Sequence, residues 1–433
     1  MALDNRILIK EARKKEGKTV LLAGWVKQLK SMGNLAFITL RDSTGNIQLI
    51  VIKKNIKNFN EIQKLTRESA IQVKGTIKKS KLKSKENELV VEEIEILNKA
   101  KTPLPIDLGA ETTNIDKRLD NRFLDTREEK TNAIFRIRSK IIKITTNFFD
   151  KENFININSP KLTCMGAESG AQLFNVQYFA KKAFLSQSPQ IYKQMFVAGG
   201  FEKVYEIAPV FRAEKSHTTR HLTEFTGIDM EMGFIKDEHD IMDVVEELMN
   251  DIVKRLRKEC KEELKLLNVE MNLPKKIPRI TMKEAKDLLK KKGKNIPKDD
   301  DLDPKSEKIL GEIALKKYKS DFIFITNYPW KIRPFYHMKK DKDGTKSFDL
   351  IHSGLESATG AQREHRLDIL ESQAEEKKIS LKGMEPYLAI FKYGCPPHGG
   401  VGLGLDRIVQ GILKIDNIRE CILLPRDPER ITP

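Results

Sequence analysis

Four short segments hold most of the side chains that could do chemistry. In VFRAEKSHTTRHLTEF, Arg212 and Glu214 are expected on one strand face, with Arg220 and His221 across a short loop and Phe225 back on that face. Guanidinium groups grip phosphate or carboxylate in a planar, bidentate way, Glu214 can accept from an amine, and Phe225 can stack a purine. Structural salt bridges would explain two such charges; this many in sixteen residues favours a functional cluster over that reading. PPHGGVGLGLDRIVQGIL places glycines 399, 400, 402 and 404 ahead of a helix whose first turn carries Arg407. Glycines allow close backbone approach and a helix start favours anions, so an arginine there suits a triphosphate. No Gly-Lys-Ser/Thr ends the run, so it is not a Walker loop. In SFDLIHSGLESATGAQREHR, Asp349 and Glu356 stand seven apart. On opposite strands, or at the ends of one, they could hold magnesium against phosphate oxygens, although carboxylates scattered on a surface are common. Arg363 nearby is a candidate carboxylate clamp. AESGAQLF carries Glu168 in a small-residue loop, and FLSQSPQIYKQM spaces Gln190 and Lys193 as one helical turn. A cation such as Lys193 at the end of a pocket recognises a side-chain carboxylate and matches a neutral amide poorly.

Such segments need a scaffold. Five β-like runs, TVLLAGWVK, LAFITLRD, NIQLIVIK, AIQVKGTIK and ELVVEEIEIL, precede residue 99, with a helical pattern near Ile56 to Glu68 between the third and fourth. That order fits an all-β OB barrel over residues 1–99, a fold that often binds single-stranded nucleic acid, with a generic small β-domain as the alternative. Residues 100–127 shift to Pro103, Pro105, Gly109 and polar residues without a sustained period, as in an interdomain linker. Residues 128–433 form the second domain. It opens on an amphipathic helix with Ile134, Ile137, Ile141, Ile144 and Phe148 at helical spacing, followed by strand-like FININSP. Residues 202 to 234 read as two strands around a polar loop. In FTGIDMEMGF, Ile228, Met230, Met232 and Phe234 share one face and Phe225, Asp229 and Glu231 the other. Residues from about 235 to 320 read as a mostly helical, lysine-rich insertion, and its loop KKKGKNIPKDDDLDPKSE is expected to be exposed and without chemistry. Antiparallel strands with helices set to one side predict an α+β class for this domain.

At 433 residues the chain should hold two or more cores. Cys164, Cys260, Cys395 and Cys421 stand too far apart for a zinc ribbon or redox pair. Lys plus Arg exceed Asp plus Glu by 79 to 62, a formal charge of +17, which suits a polyanionic partner and suits solvated lysine-rich faces equally well. No apolar run approaches the roughly 20 residues of a membrane span, so a cytoplasmic address with no membrane partner is the expectation.

In these residues the chain resembles aspartyl-tRNA synthetases of the archaeal and eukaryotic type, class II enzymes of subclass b, from about Gly24 to Pro433. NINSP with Pro160 looks like motif 1, VFRAE through MEMGF like motif 2 and GLGLDR like motif 3. The resemblance implies an antiparallel class II catalytic domain, an anticodon-binding OB domain, and a homodimer through the motif 1 region. The implied substrates are ATP, L-aspartate and tRNA(Asp), with tRNA(Asn) a second candidate acceptor, and Mg2+ is the implied cofactor. Position by position, Arg212 would contact aspartate and the α-phosphate, and Arg407 would hold the γ-phosphate. Phe225 would stack on adenine, and Glu214, Arg220, His221, Leu222, Glu356 and Gly404 would complete the ATP site. Asp349, Glu356 and Thr359 would serve the metal, and Thr359 also the amino acid. Glu168 would close on the substrate amine, Gln190 would add a contact, and Lys193, Asp229 and Arg363 would select the side-chain carboxylate. Phe37 and Gln48 stand where the family meets anticodon bases. Three positions depart from the pattern: Asp406 where Glu is usual, Thr359 where archaeal relatives usually carry Ser, and Lys27 where some relatives carry an aromatic residue linked to anticodon discrimination. Asparaginyl-tRNA synthetases typically show SGQ where this chain has Ser188, Pro189 and Gln190, and lysyl enzymes would want acidic groups near Lys193 and Arg363. A non-catalytic paralogue would have no need of all the motif arginines.

Overall fold

Strict alternation shapes the N-terminal strands. Val20, Leu22 and Val26 on β1 (Thr19–Met32), Ala36, Ile38 and Leu40 on β2 (Leu35–Asp42), and Ile47, Leu49 and Val51 on β3 (Gly45–Ile52) all point into one core. Ile71, Val73 and Ile77 of β4 (Ala70–Lys79) and Leu89 and Val91 of β5 (Asn87–Asn98) complete it. A period of two puts every second side chain inside, and the sheet closes in the order β1-β2-β3-β5-β4. The computed structural model describes residues 5–80, 87–109, 113–164, 172–215 and 218–433. Within these, the helical pattern expected from Ile56 to Glu68 is confined to Phe59–Ile62.

The chain divides into two units, Met1–Glu129 and Lys130–Pro433. The stretch expected as linker contains the short helices Ile115–Asp120 and Arg122–Asp125 and groups with the barrel. Arg127 accounts for part of this, donating to the buried Glu68 at 2.9 Å, which also receives Arg41 at 2.6 Å, while its guanidinium covers the Trp25 ring at 4.6 Å.

The second unit is α+β. Its eight-stranded sheet runs β12-β13-β14-β15-β16-β11-β10-β6, antiparallel except at the β12/β13 and β10/β6 pairs. The strands are β6 (Ile155–Asn156), β10 (Lys203–Phe211), β11 (Glu224–Gly233), β12 (Arg279–Thr281), β13 (Phe322–Thr326), β14 (Ser347–His352), β15 (Leu355–Gln362) and β16 (His398–Gly404). A small sheet of β7 (Leu162–Thr163), β8 (Asn175–Tyr178) and β9 (Lys181–Leu185) accompanies it. The helix Glu129–Lys151 buries Ile134, Ile137, Ile141, Ile144 and Phe148 as its spacing requires, in one core with Ile228 and Met230 of β11 and Val401 and Leu403 of β16. That core covers one face of the sheet and leaves the other for chemistry.

The structure corrects two expectations. Phe234 is 70% exposed, because β11 ends at Gly233 and Phe234 turns to φ +57°, which breaks the alternation. Arg212 and Glu214 lie beyond the end of β10, although Arg212 N still bonds Thr223 O at 2.9 Å. Within the mostly helical stretch after β11, Glu238–Glu259 packs Ile241, Val245, Leu248, Ile252 and Leu256 into the main core. The helices Met282–Lys291 and Pro304–Tyr318 instead build a separate core with Ile323 and Ile325 of β13. Among the described residues no helix is long and apolar enough to cross a membrane.

Candidate active site

The polar face of the sheet forms the floor of a cavity of about 570 Å³. Its axis follows β11, where Phe225, Gly227, Asp229 and Glu231 point the same way. The six residue-to-residue steps of strand from Phe225 to Glu231 span about 20 Å, long enough for a purine at one end and an amino acid at the other. The neighbouring strand stays low. Asp229 pairs with Gly402 and Glu231 with Gly400, and a Cβ on Gly400 would fall 2.0 Å from Glu231 Oε2 and 2.2 Å from Met230 O. The glycines expected to sit ahead of a helix are therefore strand residues, and Gly400 is there because a neighbouring carboxylate lies over it.

At the Phe225 end, the wall includes Arg212, Glu214, Arg220, His221, Leu222 and, from the next segments, Glu356, Gly404 and Arg407. The Arg212 guanidinium stands 5.3 Å over the Phe225 ring. Arg407, in the first turn of the helix Leu405–Leu413, donates to Glu356 O at 2.9 Å and to its Oε1 at 3.4 Å. Asp406 beside it is buried and accepts from Arg138 Nη2 at 2.8 Å and Thr226 N at 2.9 Å, which fixes the helix start to β11 and to the helix Glu129–Lys151. The shorter carboxylate thus reaches its partners. Burial lowers the His221 pKa, and the field of Arg407 lowers it further, so the ring stays neutral with Nδ1 on Thr218 Oγ1 at 2.6 Å.

At the other end, Gln190, Asp229, Thr359 and Arg363 line the cavity. Lys193 does not. The residue is 1% exposed, and its ammonium lies behind Asp229, donating to Asp229 Oδ1 at 2.9 Å and to the carbonyls of Val401 and Met230 at 3.1 and 3.3 Å. The helix Gln190–Phe196 directs it under the floor rather than to the pocket's end. Glu231, fully buried, receives Arg363 Nε at 2.9 Å and Nη2 at 3.3 Å and lies 3.4 Å from Lys193. Burial pushes Glu231 up, but Arg363 and then Lys193 outweigh it and hold the carboxyl below its ordinary range. Burial, reinforced by Arg363, drives His337 well down, so its neutral ring accepts from Arg363 Nη1 at 3.0 Å through Nε2. Three bonds leave two of the guanidinium's five donors without a protein acceptor among the described residues.

Asp349 also stands off the cavity wall. Thr359 pairs with it across β14 and β15, and Thr359 Oγ1 lies 3.5 Å from Glu356 Oε1. Asp349 Oδ2 accepts from Arg333 Nη2 at 2.7 Å, while Oδ1 is buried with no partner among the described residues. Burial pushes its carboxyl up to about 7 against the pull of Arg333. Glu168 lies outside the described residues. Pro160 is exposed, in a segment tied to β10 by Ser159 N and Oγ donating to Glu206, both at 2.7 Å. On the barrel, Phe37 and Gln48 are half-buried on the outward face, next to each other on a diagonal, since Thr39 pairs with Gln48 and Phe37 with Ile50. Lys27 bonds Glu129 at 3.1 Å, and Asn46 bonds the same carboxylate oxygen at 2.7 Å.

Residues 114–428 match the family model described as tRNA synthetases class II (D, K and N). The chain belongs to this family. Residues 20–97 of the synthetase match an OB-fold nucleic acid binding domain. Among curated relatives, the aspartate–tRNA(Asp) ligase of Pyrococcus abyssi is 45% identical, covering 96% of the synthetase and 97% of the relative. The aspartate–tRNA(Asp/Asn) ligase of Methanopyrus kandleri is 44% identical over 97% of both. Among solved structures, asparaginyl-tRNA synthetase from Pyrococcus horikoshii with asparaginyl-adenylate superimposes with a TM-score of 0.93 at 34% identity, covering 99% of each chain.

In the sequence Glu231 is only a second carboxylate on a strand face, and no local pattern marks Arg333, His337 or Glu307. Alternation with Asp229 is the signal that could have promoted Glu231. The RPFYHM segment that carries Arg333 and His337 has no period to mark it.

Proposed function

We propose that the chain is an aspartate–tRNA ligase, using ATP to activate L-aspartate and charging the 3′ end of tRNA(Asp), with tRNA(Asn) as a second acceptor to be tested. The observation that carries the amino acid choice is Arg363: a buried guanidinium, oriented by Glu231 and His337, with two donors turned to no protein acceptor. Two parallel N–H groups match a carboxylate, while the amide of asparagine would set its own NH2 against them. Asp229, carrying the charge of the buried Lys193 behind it, faces the same end of the cavity. Lys193 then acts through Asp229 and the local field rather than by touching the substrate.

In the first step the aspartate α-carboxylate attacks the α-phosphorus of ATP and pyrophosphate leaves; in the second the terminal ribose hydroxyl of tRNA attacks the acyl carbonyl and AMP leaves. Neither step asks for a protein nucleophile. Arg212 would bridge the two anions while Phe225 stacks adenine, Glu214, Arg220, His221, Leu222 and Gly404 line the nucleotide, and Arg407 takes the γ-phosphate. Gln190 and Thr359 would complete the amino acid contacts, with Glu168 as a further candidate for the amine. Asp349, Glu356 and Thr359 fit a hard cation: the Asp349 Oδ1 atom is buried without a donor among the described residues, and Mg2+ accepts few protein oxygens because it keeps its waters. Mg2+ bound there would neutralise phosphate charge.

Phe37 and Gln48 present a ring and an amide on the barrel face for unstacked anticodon bases. Lys27, tied to Glu129, is committed to a protein partner. The two-residue strand β6 ends the sheet beside β10, and exposed Ile155 and Pro160 suit burial in a homodimer.

ATP–pyrophosphate exchange with aspartate, asparagine and lysine supplied separately is the test. Exchange with aspartate alone is expected, and exchange only with another amino acid, or none at all, would refute the reading. Charging of purified tRNA(Asp) and tRNA(Asn) then decides the acceptor.

A further inference from the structure

The helix Pro304–Tyr318 stands on the β14–β15 turn with almost no clearance. A Cβ on Gly311 would lie 2.5 Å from Gly354 N, and one on Gly354 would lie 2.9 Å from the Cα of Lys308. Its start is fixed by Asp303, which accepts from Ser306 N at 2.8 Å, and by Pro304 in the first turn. This docking aims Glu307, in a stretch expected from sequence to be an exposed loop, into the wall of the cavity, where it is 7% exposed. Glu307 Oε2 accepts from Glu356 N at 2.8 Å and also from the Arg220 guanidinium. One carboxylate oxygen therefore joins the loop after β10, the insertion helix and the start of β15.

A buried carboxylate beside a site for a triphosphate opposes its ligand, so its placement needs a compensating role. Arg220 provides that role. It is a long side chain on a loop, and an arginine held in advance binds phosphate without an ordering cost at the moment of binding. The bond to Glu356 N fixes the strand end that also receives Arg407. We propose that Glu307 is a positioning residue of the ATP site: it holds Arg220 and the Glu356 end of β15 in place for the triphosphate, which makes the helical segment around residues 304–318 part of the nucleotide-binding machinery. This rests on the ATP-binding reading above.

Glu307→Gln keeps the size of the side chain and one oxygen that can accept both bonds, but removes the charge that strengthens the bond from the Arg220 guanidinium. With the full-length protein, ATP affinity is measured by calorimetry without amino acid, and KM values by aspartate-dependent exchange. E307Q should raise the ATP Kd and KM by roughly 10-fold with the aspartate KM and the thermal midpoint unchanged. In an Arg220→Ala background, the same change should add little. The proposal is overturned if E307Q binds ATP as the wild type does or more tightly, if its effect multiplies in full with that of R220A, or if ATP and aspartate KM rise together with a fallen thermal midpoint. Wild-type protein that binds no ATP would overturn the site reading itself, whereas a silent E307Q in an ATP-binding protein overturns this inference alone.

Discussion

Arg363→Lys isolates the shape of the specificity group from its charge. The wild-type guanidinium is locked by Glu231 at 2.9 and 3.3 Å and by His337 at 3.0 Å, which leaves its remaining donors facing the cavity. A lysine keeps the positive charge against Glu231, so the buried ion pairing survives and the fold should hold. What disappears is the fork. A hydrogen bond to a charged group contributes about 1.5–3 kcal/mol, so kcat/KM for aspartate should fall roughly 10- to 150-fold. The loss should appear in the aspartate KM and leave the ATP KM within about threefold of wild type, because binding is lost at one end of the cavity only. Preference for aspartate over asparagine should shrink with it. Arg363→Met is a poorer probe, since it leaves Glu231 with Lys193 alone at 3.4 Å and would cost about 3–5 kcal/mol of stability. The assay is pyrophosphate exchange over an aspartate series at saturating ATP, with circular dichroism melts in parallel. Wild-type kcat/KM in R363K, or a loss falling equally on ATP and aspartate, would refute the role given to the guanidinium fork.

Gly400→Ala should lower stability by about 1–3 kcal/mol and impair aspartate activation, because the new methyl meets Glu231 Oε2 at 2.0 Å and a backbone oxygen at 2.2 Å; an unchanged urea midpoint with normal exchange would contradict this. His352 is buried against Phe322 and its pKa is driven down to about 3 by burial. Below its ordinary 6.5 the unfolded chain takes up a proton that the folded chain refuses, so stability should fall as pH drops, by about 1.4 kcal/mol per pH unit from this group until the pH nears its folded value. In His352→Phe that acid slope should be shallower between about pH 6 and 4, and an identical slope in urea titrations would show the histidine is not its source. Lys193→Met and Glu231→Gln each leave a buried charge unbalanced, whereas together they restore balance. The double variant should therefore be more stable than the sum of the singles predicts, by about 0.5–3 kcal/mol, and strict additivity in urea unfolding would show that the two charges are not coupled.

What could be read from the sequence was whatever repeats locally. The barrel was legible because Val20, Leu22, Ile38, Leu40, Ile47 and Leu49 alternate with outward residues, and the helix Glu129–Lys151 because five apolar residues share a stripe. The face bearing Phe225, Asp229 and Glu231 was legible for the same reason, up to Gly233, where the positive φ of Phe234 ends the pattern. What was not legible depends on pairs far apart in the chain. Glu231 and Arg363 are 132 residues apart, Arg220 and Glu307 87, and Glu307 and Glu356 49. Lys193 looked like the end of a pocket because its spacing from Gln190 is one helical turn, but only the packing of β11 and β16 decides that its ammonium ends beneath Asp229.

The same geometry explains why the fold alone does not choose the amino acid. A sheet that superimposes on an asparaginyl enzyme supplies the floor, the length of the cavity and the nucleotide end, none of which senses whether a side chain ends in a carboxylate or an amide. In the proposed reading the discrimination falls to Lys193, Asp229, Glu231 and Arg363, two cations and two anions that balance inside the protein. Burying four charges is costly unless each is paired, so none can be exchanged without a compensating change in another. Gly400 and Gly402 on β16 give those side chains room, and the long-range bonds hold Arg363 in place with two donors lacking a protein acceptor among the described residues. On that reading substrate choice is a property of a charge cluster that the fold shelters, and changing the charge of any member, unlike the charge-conserving Arg363→Lys, requires moving balanced pairs rather than single residues.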